Sequence, residues 1–473
     1  MTEPDTPASS AGRPDTADPV VLEETVIDAA SGRPTIDPAD ADFDADAGSG
    51  AGLLAKLAAL FPPGTVPVAA ALLVTGISAY AFLSVANRAL PAKQYDSVSV
   101  LWAVAFLLGP GLFIPVEQEV GRAIAHRRSL GQGWTPVIRR AAQIAGAFAV
   151  ILTIVAFAAN APLRHHLFDD QWLVLIGLVL CLDAYAMEFL LRGVLAGTGR
   201  FAAYGWVFGV EAVLRLAGAI ALGVVGVKTA GPFGMSIGLA PLVATVAVTR
   251  HQRKGLLEPG PEAHLPEISQ NLSLLLAASI GNFGLMNCAP IAAQLLSHGK
   301  SSYAGRTLNG LVIARIPLFF FQAVQAALLP NLAKLAAERR FPEFRADLRK
   351  LAGVVVVIAV AGVIGCLVLG PFVVKTMFPT KAPIGRVDLA IFAFGSAAIM
   401  AGIVAAQAAV SLGGHRDAAI GWIGGMVAFI VACALPGGVI QRVVVAFLIG
   451  TAVAAVLLSA LLVRRLRVSA QST

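Results

Sequence analysis

Charge is what this chain has least of. Asp, Glu, Lys and Arg make up 13% of its 473 residues, about half the share of a soluble globular chain. Hydrophobic residues make up 57% and the mean hydropathy is +0.78, so an ordinary water-soluble domain is excluded. The apolar runs are too long for strands and lack the alternation of a membrane barrel, so they read as helices, which satisfy their own backbone in hydrocarbon. Cysteine is scarce: Cys181, Cys288, Cys366 and Cys433 all fall inside apolar runs, which excludes a disulfide framework and leaves no metal set. The seven histidines sit in loops or at helix ends, so no histidine relay is expected. No Gly-x-x-x-x-Gly-Lys-Ser/Thr run occurs, so no ATP-driven motor is expected. The acids of the predicted outer loops are Asp96, Asp169, Asp170 and Asp388. Asp169-Asp170 reads as a cap for the helix starting near Gln171 rather than as a catalytic pair, and an enzyme is not expected.

What is present is a repeat. Apolar stretches occupy 66–87, 97–119, 141–159, 171–197, 203–223 and 232–249, then 272–296, 308–330, 351–370, 386–410, 420–440 and 443–463. A shift of 212 residues lays the first six on the second six, and lays Arg122–Arg128 on Lys334–Arg340. The fold class that follows is all-α: a polytopic membrane protein of about 12 transmembrane helices, in two six-helix lobes. An even number of helices per copy makes the repeat parallel, with its axis along the membrane normal.

The termini differ from the body. The first 50 residues hold 12 acids and only Arg13 and Arg33 as bases, a net charge of −10. Such a segment cannot bury enough apolar surface to fold alone, and it lacks the basic start and apolar core of a signal peptide. The rest of the chain holds 33 bases and 16 acids, +17 in all; these bases lie mostly at helix ends, which argues against nucleic acid as partner. With the N-terminus inside, 22 of the 35 lysines and arginines are cytoplasmic, 10 are outside and three lie within helices, as the positive-inside rule requires. The expected organisation is an acidic cytoplasmic tail (1–55), a first lobe (56–249), a cytoplasmic linker (250–271), a second lobe (272–465) and a short tail (466–473), with both termini cytoplasmic in the cell membrane. The basic loops 120–140 and 331–350 are read as topology anchors or as interfacial helices on anionic headgroups.

Ionisable residues inside membrane helices are costly and are functional candidates by default. The fourth stretch carries Asp183, Glu188 and Arg192, the fifth Glu211 and Arg215, the eighth Arg315. Glu188–Arg192 and Glu211–Arg215 are i,i+4 pairs on one face. Two readings stand side by side: a polar patch facing a central cavity, with arginines able to hold phosphate bidentately, or a salt-bridge network inside the first bundle. The repeat separates them in part. Shifted by 212, Asp183, Arg192, Glu211 and Arg215 meet Gly395, Val404, Ile423 and Val427, and Arg315 shifted back meets Ala103. Charges unshared between copies favour a ligand site over architecture. Glu117, Glu119 and Arg122 form a candidate gate or headgroup-level cluster. Asn282 and Asn287, near Pro290, could bond a ligand or a neighbouring helix. Pro110, Pro115, Pro290 and Pro317 predict kinks.

Three stretches carry a resemblance. Asn87-Arg-Ala-Leu-Pro-Ala-Lys-Gln-Tyr95, Leu191-Arg-Gly-Val-Leu-Ala-Gly-Thr-Gly-Arg-Phe201 with Glu211-Ala-Val-Leu-Arg215, and Tyr303-Ala-Gly-Arg306 through Leu329-Pro330 are similar to motifs of the multidrug/oligosaccharidyl-lipid/polysaccharide (MOP) flippase superfamily, in its bacterial polysaccharide-export branch. The chain departs from that pattern at Asp96, where a glycine is usual, and at Cys288 or Ala289, where many relatives carry an acid. The resemblance implies two lobes in a V that open alternately to either side, and a polyprenyl-diphosphate-linked saccharide as cargo. Arg192, Arg215 and Arg315 would hold the diphosphate, with Glu211, Asp183 or Glu188 as counter-charge. No cofactor is implied; coupling to H+ or Na+ stays open. Glycosyltransferases or a polymerase of the same pathway would be partners, beside the bilayer itself. Three alternatives are kept: a cation-coupled drug antiporter of the same superfamily, which five tryptophans and five tyrosines disfavour; a major-facilitator transporter, whose loop motif Gly121–Arg128 resembles without its acid; and a membrane scaffold for cell-wall synthesis recruited through the acidic tail.

Overall fold

The computed structural model describes residues 66–263, 272–297, 302–379 and 383–471; the acidic tail and part of the 250–271 linker lie outside them. The first half contains α1 (Val66–Ala89), α2 (Ala92–Ser129), α3 (Thr135–Ala158), α4 (Asn160–Leu167), α5 (Trp172–Gly197), α6 (Phe201–Val225) and α7 (Ala230–His251). The second contains α8 (Leu272–Ser297), α9 (Tyr303–Ala314), α10 (Ile316–Ala337), α11 (Phe341–Val368), α12 (Gly370–Met377), α13 (Arg386–Ser411), α14 (His415–Ala432) and α15 (Val439–Gln471). No strand occurs among the described residues. Ten of these helices are long and apolar enough to cross a membrane, and the protein is an all-α polytopic membrane protein.

The repeat reappears as packing. In the first half α1 packs on α6, α2 on α5, α3 on α5, α5 on α7 and α6 on α7. Their counterparts pack likewise: α8 on α14, α9 and α10 on α13, α11 on α13, α13 on α15 and α14 on α15. Even the short α4, unforeseen in sequence, has a partner in α12 about one repeat later. Close seams are lined by small residues, as membrane helices require. A Cβ at Gly193 of α5 would stand 2.8 Å from the Glu117 carbonyl oxygen of α2, so these two backbones touch.

Four expectations need correction. The eighth stretch is not one helix: it breaks at Arg315 into α9 and α10, because Pro317, at the second position of α10, has no N–H to continue the ladder. The eleventh begins earlier and ends at Ala432, since Pro436-Gly437-Gly438 cannot extend it; its first turn, His415-Arg416-Asp417, is polar, and it is not among the ten apolar spans. The basic loops do not form separate interfacial helices. α2 runs on through Arg122–Ser129 and α10 through Lys334, so their bases ride on extensions of the spanning helices. Finally, Asp169 and Asp170 do not cap α5, which has no side-chain cap bond; both adopt left-handed backbone, at φ 49° and 60°, and pair instead with Lys93 at 2.5 Å and with His165 at 3.3 Å.

The linker is held by the first half. Arg127 Nη1 donates to the Pro261 carbonyl at 2.7 Å, Arg127 Nη2 to that of Glu262 at 3.1 Å, and Trp134 Nε1 to that of Leu256 at 3.0 Å. Arg200 donates to the carbonyls of Gln252 and Lys254. Within the basic Arg122–Arg128 segment, Arg127 therefore binds backbone of this chain.

Candidate functional site

The two halves meet along α2 with α8 and α9, and along α1 with α10. Where these surfaces part, a cavity of about 230 Å³ remains. Both halves line it: Tyr80 of α1, Trp102 and Phe106 of α2 and Arg215 of α6 face Asn287 of α8, Arg315 at the α9–α10 break and Phe319 of α10. Helical spacing explains much of this wall. Trp102 and Phe106 are four residues apart on one face of α2, and their rings stack at 4.5 Å between centroids. Phe82 stacks on Trp102 at 5.5 Å, and Tyr80 meets Phe319 edge-on at 5.8 Å.

Two guanidinium groups enter this wall from opposite halves. Arg215 is 1% exposed; its Nη1 is 2.5 Å from Glu211 Oε1, and its guanidinium carbon lies 5.3 Å from the Trp102 ring centroid and 5.9 Å from that of Phe106. Its Nε and Nη2 have no hydrogen-bond partner among the described residues. Arg315 Nη1 donates to Asn287 Oδ1 at 3.4 Å, while its Nε and Nη2 are likewise buried without a partner. No ion pair to Arg315 occurs among the described residues, of which Asn287 alone bonds its guanidinium. Asn287 is itself anchored, its Nδ2 donating to the Phe106 carbonyl at 3.2 Å and to that of Phe283 at 3.0 Å. Buried donors of this kind are expensive when unmet, and four of them belong to the two arginines that line this cavity from opposite halves.

The other candidates are elsewhere. Arg192 lies in a closed network of the first half: Nη2 is 2.9 Å from Glu117 Oε2 and Nη1 is 3.6 Å from Glu188 Oε1. Its guanidinium carbon is 4.2 Å from the centroids of both Phe189 and Phe208, and Tyr204 Oη donates to Glu117 Oε1 at 2.7 Å. Glu188 is 1% exposed and lacks a hydrogen bond on either oxygen. The expected trio of Glu117, Glu119 and Arg122 is thus divided: Glu117 joins Arg192, while Glu119 pairs with Arg122 at 2.6 Å. Asp183 faces α3 and accepts from Thr153 Oγ1 at 3.1 Å, outside the central cavity.

At the end of the bundle holding Tyr95, the halves are clasped. Tyr95 Oη donates to Asn309 Oδ1 at 2.6 Å and the Gly305 amide to Asp96 Oδ1 at 2.8 Å. Ser84 Oγ donates to the Met377 carbonyl at 2.6 Å, and Arg88 to that of Thr376. Tyr80 Oη adds a bond to the Val312 carbonyl at 2.8 Å nearer the cavity. Thus the stretch ending at Tyr95 and the stretch starting at Tyr303, remote in sequence, touch. Sequence reasoning missed Tyr80, Trp102, Phe106 and Asn309; only the four-residue spacing of the α2 aromatics hinted at a shared face.

This arrangement is the fold of MATE family transporters of the MOP superfamily. A multidrug resistance MATE transporter in its inward-facing conformation matches with a TM-score of 0.68 at 15% identity, over 84% of this chain and 96% of that one. The outward-facing conformation gives 0.60 at 14%, over 86% and 96%, and a Vibrio cholerae MATE transporter 0.61 at 13%, over 89% and 98%. In sequence, the chain is similar to uncharacterized proteins of Mycobacterium bovis and Mycobacterium tuberculosis, 27% identical over 400 residues, or 81% of this chain and 88% of theirs. No family model matches the chain.

Proposed function

We propose that this protein is a transporter of the cytoplasmic membrane that works by alternating access, and that its cargo is a polyprenyl-diphosphate-linked saccharide. The observation that carries this reading is the pair Arg215 and Arg315, brought from opposite halves to one cavity with unmet guanidinium donors. A diphosphate supplies what they lack: several anionic acceptors that suit the planar fork of arginine. The volume, about 230 Å³, lies below the usual range for drug-sized ligands, and suits the phosphates alone. A sugar–diphosphate head cannot cross hydrocarbon unaided, whereas its polyprenyl tail can stay in lipid. The moving bodies are the first and second lobes, 56–249 and 272–465. The clasp at the Tyr95 end, read with the positive-inside distribution, suits a state closed outwards and open inwards, and the higher TM-score of the inward-facing transporter supports it. Glycosyltransferases or a polymerase would be the functional partners of such a protein.

The second reading, export of an amphiphilic drug, is favoured by the aromatic wall of Tyr80, Trp102, Phe106, Phe283 and Phe319 and by the multidrug transporters that share the fold. A cavity with two arginines repels the cationic amphiphiles such a wall would otherwise attract.

The test is binding in nanodiscs of a polyprenyl diphosphate and of the matching neutral polyprenol. The diphosphate should bind more tightly, and Arg315→Ala should weaken it by about ten- to a hundredfold, the worth of one or two charge-assisted bonds. Among the described residues Arg315 has no buried acid to strand, so melting should change little. Equal binding of both lipids, or a diphosphate affinity untouched by Arg315→Ala, would remove the anionic cargo and leave the drug reading in front.

A further inference from the structure

Asp183 stands in a groove of about 450 Å³ between α3 and α5, apart from the central cavity. The groove opens on the outside of the bundle. Its rim residues Val150, Ile154 and Met187 are 57%, 60% and 50% exposed, and in an apolar span such a face meets lipid. Asp183 lies near the midpoint of α5, so its carboxylate is held at mid-membrane depth. Thr153 Oγ1 lies 3.1 and 3.2 Å from its two oxygens, and no cation pairs with it among the described residues. Ionisable groups at such depth ordinarily face the bundle interior or a water-filled cavity and find a partner there; this one lies in an outer groove, half-buried, with Thr153 alone bonded to it among the described residues. The α3 wall is smooth: Ala142, Ala145, Gly146 and Ala149 fall at helical spacing along it, and a Cβ added at Gly146 would meet nothing within 4 Å. Small residues of this kind let a further helix approach closely. The second half has Gly395 at the matching position, so the acid is not part of the repeated architecture.

We propose that this groove docks one membrane-spanning helix of another protein, and that the helix carries a lysine or arginine near mid-membrane that pairs with Asp183. A second copy of this chain does not meet that need. Its mid-span cations are turned inwards: Arg192 and Arg215 are 7% and 1% exposed, and Arg315 lines the central cavity. An amphiphile with an amine head meets the charge, but its head belongs at the membrane surface, far from the depth of Asp183. A helix supplies both a cation at the right depth and a narrow rod that fills the length of the groove. The inference stands whether or not the transport reading holds.

The experiment uses the full chain, dye-labelled and reconstituted in bilayers, with acceptor-labelled Leu/Ala spanning peptides that carry one central lysine or one central leucine. Energy transfer to the lysine peptide should saturate at about a tenfold lower peptide-to-lipid ratio than to the leucine peptide. Asp183→Asn should erase that difference. Gly146→Leu should reduce association of the lysine peptide with Asp183 intact; its side chain enters open space, so it keeps the test sound if Asp183→Asn fails to fold. Equal association of the two peptides, or a preference unchanged in both variants, overturns the proposal. So does complete displacement of the lysine peptide by an equal membrane concentration of a long-chain alkylamine, which would assign the groove to an amphiphile.

Discussion

Two arginines inside the helix bundle, Arg192 and Arg315, do opposite things, and their partners show why. Arg192 is surrounded: Glu117 at 2.9 Å, Glu188 at 3.6 Å, and the rings of Phe189 and Phe208 on it. Its charge is spent inside one half, joining α2, α5 and α6. Arg315 has a single amide at 3.4 Å and donors left over. A buried pair broken on one side leaves an uncompensated charge, which costs about 3–5 kcal/mol. Arg192→Met should therefore destabilise the fold by roughly that amount, whereas adding Glu117→Leu should recover part of the loss. Thermal unfolding in detergent across the four chains of this double-mutant cycle checks it. An Arg192→Met chain as stable as the parent would show that the network holds nothing together.

At the scale of elements, the break between α9 and α10 places Arg315 at a helix junction on the wall of the candidate cavity. Arg315 is the C-cap of α9 and the N-cap of α10, and its side chain lines the cavity. The cause is local: Pro317 cannot donate to the Ile313 carbonyl, and its ring crowds that turn. Gly362 of α11 leaves the room that the ring occupies. Pro317→Ala should restore a continuous helix, stabilise the fold by on the order of 1–3 kcal/mol, and lower diphosphate affinity as Arg315 turns away. Melting curves read the first effect and nanodisc binding the second; a variant more stable yet equally able to bind would separate the break from the site. The same element shows where sequence stops informing. Proline signals a kink wherever it stands, yet Pro110, Pro115 and Pro290 lie inside unbroken α2 and α8, so the residue type alone does not say which helix parts. The unshared charges were legible because charge is rare here. Their pairing was not: i,i+4 spacing gave Glu211–Arg215 and Glu188–Arg192, but the nearer acid of Arg192 is Glu117, on another helix. Short α4 and α12 were missed because eight residues with Arg164, His165 and His166, or with Lys375, leave no long apolar run.

For the whole molecule, the 212-residue shift is realised as paired helix contacts repeated in each half, and the unshared charges divide three ways: Arg215 and Arg315 where the halves meet, Arg192 inside the first half, and Asp183 in its outer groove. Four clasps between halves lie at the Tyr95 end, Tyr95–Asn309, Asp96–Gly305, Ser84–Met377 and Arg88–Thr376, while Tyr80–Val312, Asn287–Phe106 and Ser279–Pro110 join the halves further along. A transporter working by alternating access has to break those four once per cycle, and each is a single neutral or charge-assisted bond of modest net worth, so they can part. A covalent bond in the same place cannot. A Cβ added at Gly305 would lie 3.0 Å from Asp96 Oδ1, within reach of a sulfur from each side. Asp96→Cys with Gly305→Cys should form a disulfide on oxidation, and the native thiols should not compete, since Cys181, Cys288 and Cys366 are buried and Cys433 is half-buried. Oxidised vesicles should then lose transport of the lipid-linked cargo and regain it with reductant, while hydrogen exchange at the Tyr95 end falls and that at the Arg122 end stays as before. Exchange needs no knowledge of the cargo, so it reports on the motion even if the cargo is a different one. A crosslinked protein that transports at the uncrosslinked rate would mean that the halves do not separate at this end, and alternating access would fall with it.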